Sequence, residues 1–225
     1  MRTLVVGLLA AVLLVTAGCG GGSDEHPGRP AAARLAAAKK AFDASPALHI
    51  TLSADRLPRS VAGLLSAEGE GTHQPGFDGE IKVVQSGLSL TVPVVAVHGK
   101  TWAKLGFWQQ VDPRQYNAPD PAGLMSTSHG LSSVLTRATK IGRPTTKRQG
   151  SDTVTEIDAK VPGTLMAGIV PSADPNSLFD AAFTLDTSGH LVQMALSGTF
   201  YPGAGDVTYT FAFSGYGSKA TVHAP

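Results

Sequence analysis

The chain has 225 residues, with 18 lysines and arginines, 17 aspartates and glutamates, seven histidines and one cysteine. A nearly neutral protein has no long-range field that would collect nucleic acid, so we expect no nucleic-acid partner. One cysteine excludes an internal disulfide framework and a thiolate metal cluster. Charged residues make up only 16% of the chain and apolar residues 42%, which indicates a sizeable apolar core or an apolar pocket.

The N-terminus has the pattern of an export signal. A basic residue near the start precedes an unbroken apolar run over residues 4–15, and two small residues precede Cys19. The run is shorter than the roughly 20 apolar residues of a membrane-spanning helix, and its charged start is typical of a secretory signal. The order Ala17-Gly18-Cys19 resembles a bacterial lipobox, in which the cysteine is acylated and becomes the new N-terminus. We therefore predict a signal peptide over residues 1–18 and lipidation at Cys19.

The next segment is rich in glycine and proline, and we interpret residues 19–30 as a lipidated N-terminus and flexible tether. Residues 31–225 are enough for a single domain with a sizeable core. Its first element should be a helix over about Ala31 to Ala44, because alanine, leucine and lysine favour helices and Pro46 disfavours helix at Ser45.

The first half of the domain predicts an antiparallel meander. Apolar runs, most of them alternating, predict strands over residues 47–54, 77–85, 88–97 and 101–105, and a polar, glycine-rich strand is predicted over residues 65–74. The turns between most of these strands are short, as in hairpins. The acidic residues Glu68, Glu70, Asp78 and Glu80 stand at alternate positions, which predicts a polar outer face.

The second half mixes helices with strands. Residues 128–138 have the period of a helix that Ser128 could cap. A strand is predicted over residues 153–161, followed by a short apolar helix that contains Leu165 and Val170 and ends before Pro171. Three further strands, over residues 179–186, 191–201 and 207–216, complete the domain.

The sequence contains no recognisable catalytic pattern. The histidines have no metal-ligand spacing, no serine lies in a nucleophile elbow, and Gly69 and Gly71 lack the third glycine of a dinucleotide loop. The two tryptophans do not alternate with a basic stripe. We predict no catalytic residue, no metal, no cofactor and no enzyme activity.

The apolar face of the predicted sheet leaves two alternatives open. A strongly curved sheet with short apolar helices can close into a solid core, or it can leave a cavity that the helices roof. Methionines at positions 125, 166 and 194 would suit a pliable cavity lining.

Particular residues connect the chain to a known family. They are the lipobox at Cys19, Ser45 to His49, His98-Gly99-Lys100, Trp108, Asp112-Pro113, Asp120-Pro121, Gly130-Leu131, Val134-Leu135, Gly150, Val161-Pro162 and Ile169. In these features the chain resembles the mycobacterial LppX/LprA/LprF/LprG lipoprotein family. The resemblance covers nearly all of the chain that follows the signal.

The resemblance implies an α+β fold, a strongly curved antiparallel β half-barrel with helices packed on its concave face, similar to the LolA/LolB-like carriers. It implies an apolar cavity that binds acyl chains of envelope lipids or lipoglycans and carries them between inner membrane and outer envelope. The expected location is the cell envelope, with a lipid anchor in the membrane on its periplasmic side. A membrane exporter is a candidate partner.

Alternation and helical period supply the candidate cavity lining. The candidates are Ile50, Leu52, Ile81, Val83, Leu90, Val92, Val94, Leu131, Val134, Leu135, Met166, Ile169, Met194, Leu196, Phe211 and Phe213. A non-enzymatic scaffold with a solid core, which recruits an envelope partner, is the main alternative. An exported hydrolase would need a converging nucleophile and base, which the sequence does not indicate.

Replacing Cys19 by Ala should leave lipid binding intact while impairing lipid delivery, because only the acylated sulfur would hold the domain at the membrane. Cell fractionation, combined with lipid analysis of the purified domain, checks this. Loss of lipid binding by the purified soluble domain would contradict the expected division between anchor and binding site.

Overall fold

The computed structural model describes residues 30–55, 57–58, 61–85, 87–116 and 118–225. The predicted signal peptide, Cys19 and residues 20–29 of the predicted tether lie outside these residues. In the described ranges, no helix is long and apolar enough to cross a membrane. All the helices, strands and buried core residues described below lie within residues 30–225.

The described helices are short apart from the first. They are α1 (Ala31–Ala44), α2 (Ser132–Arg137) and α3 (Gly163–Ile169). Two 3₁₀ turns, Pro113–Tyr116 and Gly123–Met125, precede α2. The predicted bounds of α1 are confirmed, and its buried residues Leu35, Ala38 and Phe42 recur at the spacing of one helix face.

The strands form one open antiparallel sheet. They are β1 (Ala47–Asp55), β2 (Gly63–Thr72), β3 (Gly76–Gln85), β4 (Leu88–Val97), β5 (Lys100–Leu105), β6 (Phe107–Val111), β7 (Thr145–Gln149), β8 (Asp152–Pro162), β9 (Leu178–Leu185), β10 (Leu191–Gly198) and β11 (Val207–Ser218). Their order in the sheet is β6-β5-β4-β3-β2-β1-β11-β10-β9-β8-β7. The first and last strands pair in the middle, and β6 and β7 are the two edges. The predicted curved antiparallel sheet is confirmed.

The helices pack on one face of the sheet, which we call the inner face. One large cluster joins Leu35 and Phe42 of α1, Leu135 of α2 and Met166 of α3 to residues of β1 and β8–β11. The Phe42 ring meets that of Phe213 edge-on, with centroids 5.1 Å apart. We call this part of the molecule the helix-covered half.

The inner face of β3–β6, which we call the open half, carries two small clusters. Phe77 and Ala96 pack against Ala122 from the segment before α2. Val92 packs with Val94 and Ala103, and with partly buried neighbours on β3 and β6. The apolar inner face therefore continues beyond the region that the helices cover.

The structure corrects the predicted start of α2. Ser128 does not cap the helix, because its hydroxyl hydrogen-bonds with Nδ1 of His129 at 2.7 Å. The backbone N–H groups of Gly130 and Leu131 donate to the carbonyls of Ser126 and Leu124, at 2.8 and 2.9 Å. These bonds turn the chain, and the helix begins only at Ser132.

Two paired glycines mark a close approach between β2 and β3. Gly69 and Gly79 stand opposite each other. A Cβ on Gly79 would lie 2.2 Å from the Glu68 carbonyl oxygen and 2.9 Å from Cζ of Phe77. The Phe77 ring thus occupies the space that side chains at this pair would need.

Replacing Gly79 by Ala should lower the free energy of unfolding by about 1–3 kcal/mol, because the new methyl group overlaps backbone atoms. Gly168→Ala is the matched control. Nothing lies within 4 Å of a Cβ there, and alanine in a helix gains up to about 1 kcal/mol over glycine. Urea unfolding measures both, and equal effects of the two substitutions would contradict the close approach.

Candidate functional site

Most of the predicted lining residues lie in the helix-covered half and pack there as core. These are Ile50, Leu52, Leu131, Val134, Leu135, Met166, Ile169, Met194, Leu196, Phe211 and Phe213. None of them is more than 7% exposed. Strands and helices bring the predicted residues together, and their side chains contact one another.

The other predicted lining residues lie in the open half. Ile81 stands opposite Val92, and Val83 opposite Leu90, so the four side chains share the inner face. Val92 and its inner-face neighbour Val94 are buried, whereas Leu90 is 54% exposed. Along β4 the inner face therefore changes from buried to open.

Three apolar residues that sequence reasoning did not assign to the site extend this open region. Leu88 begins β4, and Leu105 of β5 stands opposite Phe107 of β6. Their exposed fractions are 77%, 45% and 71%. Leu88 continues the alternation of Leu90 and Val92, which is a signal available in the sequence. Phe107 belongs to a strand that was not predicted.

The inner-face residues that share this end of β3–β6 make up what we call the open apolar surface. They are Ile81, Val83, Leu88, Leu90, Leu105 and Phe107. Ile81 and Val83 of β3 pair with Val92 and Leu90 of β4, Leu88 continues the row on β4, and Leu105 pairs with Phe107 on the next two strands.

A pair of tyrosines, of which Tyr209 is buried and Tyr201 partly buried, lies where the helix-covered half meets β2. The Tyr209 hydroxyl of β11 donates to the Leu64 carbonyl of β2 at 3.0 Å, across the intervening strand β1. The Tyr201 hydroxyl lies 2.8 Å from that of Tyr209. Burial, together with the adjacent Tyr201, raises the pKa of Tyr209 above its ordinary value. The hydroxyl therefore remains a donor, and the bond joins β11 to β2.

Two surface hollows of about 470 and 400 Å³ adjoin the segment that precedes α2, and the first also lies against Thr101 of β5 and Val111 of β6. Both are bordered by Arg114 and Asp120. The Arg114 guanidinium donates twice to the Asp112 carboxylate at 3.1 Å, and these hydrogen bonds hold the pKa of Asp112 below its ordinary value. Of the predicted lining residues, only Ile169 borders either hollow.

The outer face of β2 and β3 is polar, as predicted. Glu68 stands opposite Glu80, and Glu70 opposite Asp78. His49 on β1 lies between two of these carboxylates, with Nδ1 2.9 Å from Oε1 of Glu70. In the part of the chain that the structure describes, no three histidine, cysteine or acidic residues are arranged to hold a metal ion.

These features define a class of protein: an open, curved antiparallel sheet with short helices on an apolar inner face. The LppX_LprAFG lipoprotein family model matches residues 30–222. The chain belongs to this family, as its resemblance indicated.

Two solved structures share the fold. One is LprF from Mycobacterium bovis, with a TM-score of 0.67 and 17% identity, covering 88% of this chain and 99% of that one. The other is the Mycobacterium tuberculosis lipoprotein LppX, with a TM-score of 0.62 and 17% identity, covering 85% and 97%. At this identity the likeness concerns the fold alone. A comparison with curated proteins found no match.

Alanine substitutions should lower the free energy of unfolding more in the helix-covered half than in the open half. Met166→Ala removes a fully buried side chain and should cost about 2–5 kcal/mol of unfolding free energy. Leu90→Ala removes a half-exposed side chain and should cost less than about 1 kcal/mol. Denaturant unfolding measures both, and a small cost for Met166→Ala would contradict close packing beneath the helices.

Proposed function

We propose that this chain is a non-enzymatic envelope lipoprotein that binds acyl chains of lipids or lipoglycans and carries them between inner membrane and outer envelope. Membership of a lipoprotein family supports export and envelope association. The observation that carries the binding proposal is the inner face of β4. Its successive inward residues Leu88, Leu90, Val92 and Val94 are all apolar, and the row is open at one end.

The dimensions of this row suit an acyl chain. Leu88 and Val94 are six residues apart, which in a strand spans about 20 Å. The hydrocarbon of one bilayer leaflet is about 15 Å thick, half of the full apolar core. An acyl chain that leaves a membrane would meet an apolar track of comparable length. Each methylene removed from water contributes about 0.8 kcal/mol, so few polar contacts are needed.

Packing supports the open half as the place where the acyl chain binds first. The helix-covered half contains side chains that are nearly fully buried, so a ligand can enter only if a helix moves away from the sheet. The open half accepts an acyl chain without that movement. The Tyr209–Leu64 hydrogen bond lies at the boundary and holds β11 and β2 together across β1. We therefore propose that the acyl chain first binds to the open apolar surface.

The remaining partners follow from the same proposal. Acylated Cys19 would hold the domain near the membrane that supplies its lipid. An envelope exporter is a candidate for the step that follows binding. No nucleic acid, metal or cofactor has a part in this function.

One observation favours a second candidate, a scaffold with a solid core. The predicted lining residues beneath the helices pack as a continuous cluster. Such a protein would recruit an envelope partner through its surface and would carry no lipid. It would retain partner binding when the open half is filled by a bulky side chain.

Native mass spectrometry of the protein, purified from a host with a mycobacterial envelope, tests the two candidates. The wild-type chain should retain acylated lipid. Ile81→Trp should reduce the retained lipid severalfold, because the indole fills the inner face beside Val92. Thr91→Trp is the matched control, since Thr91 adjoins Val92 but is exposed on the outer face. Wild-type protein free of lipid, or equal retention by both variants, would contradict the proposed binding surface.

A further inference from the structure

Two neighbouring hairpin turns lie at one end of the open half. One joins β3 to β4 and the other joins β5 to β6. Among the described residues, six large hydrophobic side chains are exposed, and Leu88, Leu90, Leu105 and Phe107 of these two hairpins are four of them. Single exposed apolar residues are common on soluble proteins. A group of four on adjacent hairpins is a patch that requires a partner.

The residues around this patch indicate the chemistry of the partner. Lys82 on β3 and Lys104 on β5 lie near this end of the sheet, and the chain has neither aspartate nor glutamate between Ile81 and Val111. Lys104 stands directly opposite Trp108 beside the β5–β6 turn, on the outer face of the strands whose inner face carries Leu105 and Phe107. Both tryptophans of the chain, Trp102 and Trp108, belong to this hairpin.

This combination fits one partner, the surface of a lipid bilayer. Tryptophan rings are favoured at the boundary between hydrocarbon and head groups. Lysines near that boundary are attracted to anionic head groups. A surface that binds a protein partner usually has a polar rim around its apolar centre. Here the apolar patch has no such rim on one side, because it continues directly into the inner face at Ile81 and Val83.

We infer that the turns β3–β4 and β5–β6 insert Leu88, Leu90, Leu105 and Phe107 into the surface of a bilayer that contains anionic lipid. Lys104 and Trp108 lie at the head groups in this arrangement. The inference extends the proposed function by naming the end of the sheet that faces the membrane. It does not need a bound acyl chain, although Leu88 and Leu90 also belong to the proposed acyl-binding row.

Vesicle flotation tests the inference with residues 30–225, which lack Cys19 and include every described helix and strand. The domain should float with phosphatidylcholine vesicles that contain added phosphatidylglycerol. The tryptophan emission of the domain, to which Trp102 and Trp108 both contribute, should shift to shorter wavelength on binding. Leu88→Ser combined with Phe107→Ser should weaken vesicle binding at least about tenfold.

Two further variants define the surface. Tyr116→Ser is the matched control, because Tyr116 is 65% exposed but lies away from the two turns, and its binding should equal that of the wild-type domain. Lys104→Gln should weaken binding to anionic vesicles about fivefold while leaving binding to pure phosphatidylcholine unchanged. Circular dichroism verifies that each variant is folded.

The contrary outcomes are distinct. Failure of the wild-type domain to float, or equal flotation of the double-serine variant, would overturn the inference. A concentration-dependent dimer that the double-serine variant abolishes, without vesicle binding, would assign the patch to a second copy of the chain. Lipid retained in native mass spectrometry without flotation would overturn the docking inference and leave the proposed function standing.

Discussion

The sheet is wider than its helices can cover. Eleven strands about 4.8 Å apart extend over about 48 Å. Helix α1 is about 21 Å long, and α2 and α3 are each about 10 Å long. All three pack over β1 and β8–β11, where Phe42, Leu135 and Met166 complete the core. In the described part of the chain, the inner face of β3–β6 is covered only by loop residues such as Ala122. The candidate site exists because the helices do not extend over these strands.

The two halves consequently contribute differently to the molecule. Burial beneath the helices supplies most of the apolar area that opposes chain entropy, and so it carries most of the stability. The open half contributes less to stability, because Leu88 and Phe107 remain in water. Apolar groups that stay in water after folding can still release hydrophobic free energy when a ligand covers them. A single sheet thus combines a rigid part with a part available to ligands.

Local patterns in the sequence predicted much of this fold. The composition and the proline after α1 determine that helix, and alternation identified most strands and the inward position of Ile81 and Val92. Strand β6 is short and contains two glutamines, and β7 has no alternation, so neither was predicted. Which part of the inner face is covered depends on where the helices pack. No periodicity distinguishes Met194 beneath the helices from Leu90 in the open.

The two edges of the open sheet have unequal protection against aggregation. Strand β7 carries Lys147 and Arg148, and Pro144 precedes it, so charge and a missing N–H group oppose the addition of another strand. Strand β6 contains no charged residue between Phe107 and Val111. Crowded chains would therefore pair through β6. A membrane beside the β5–β6 turn would cover the edge strand β6. Membrane binding would therefore also reduce aggregation of the protein through this edge.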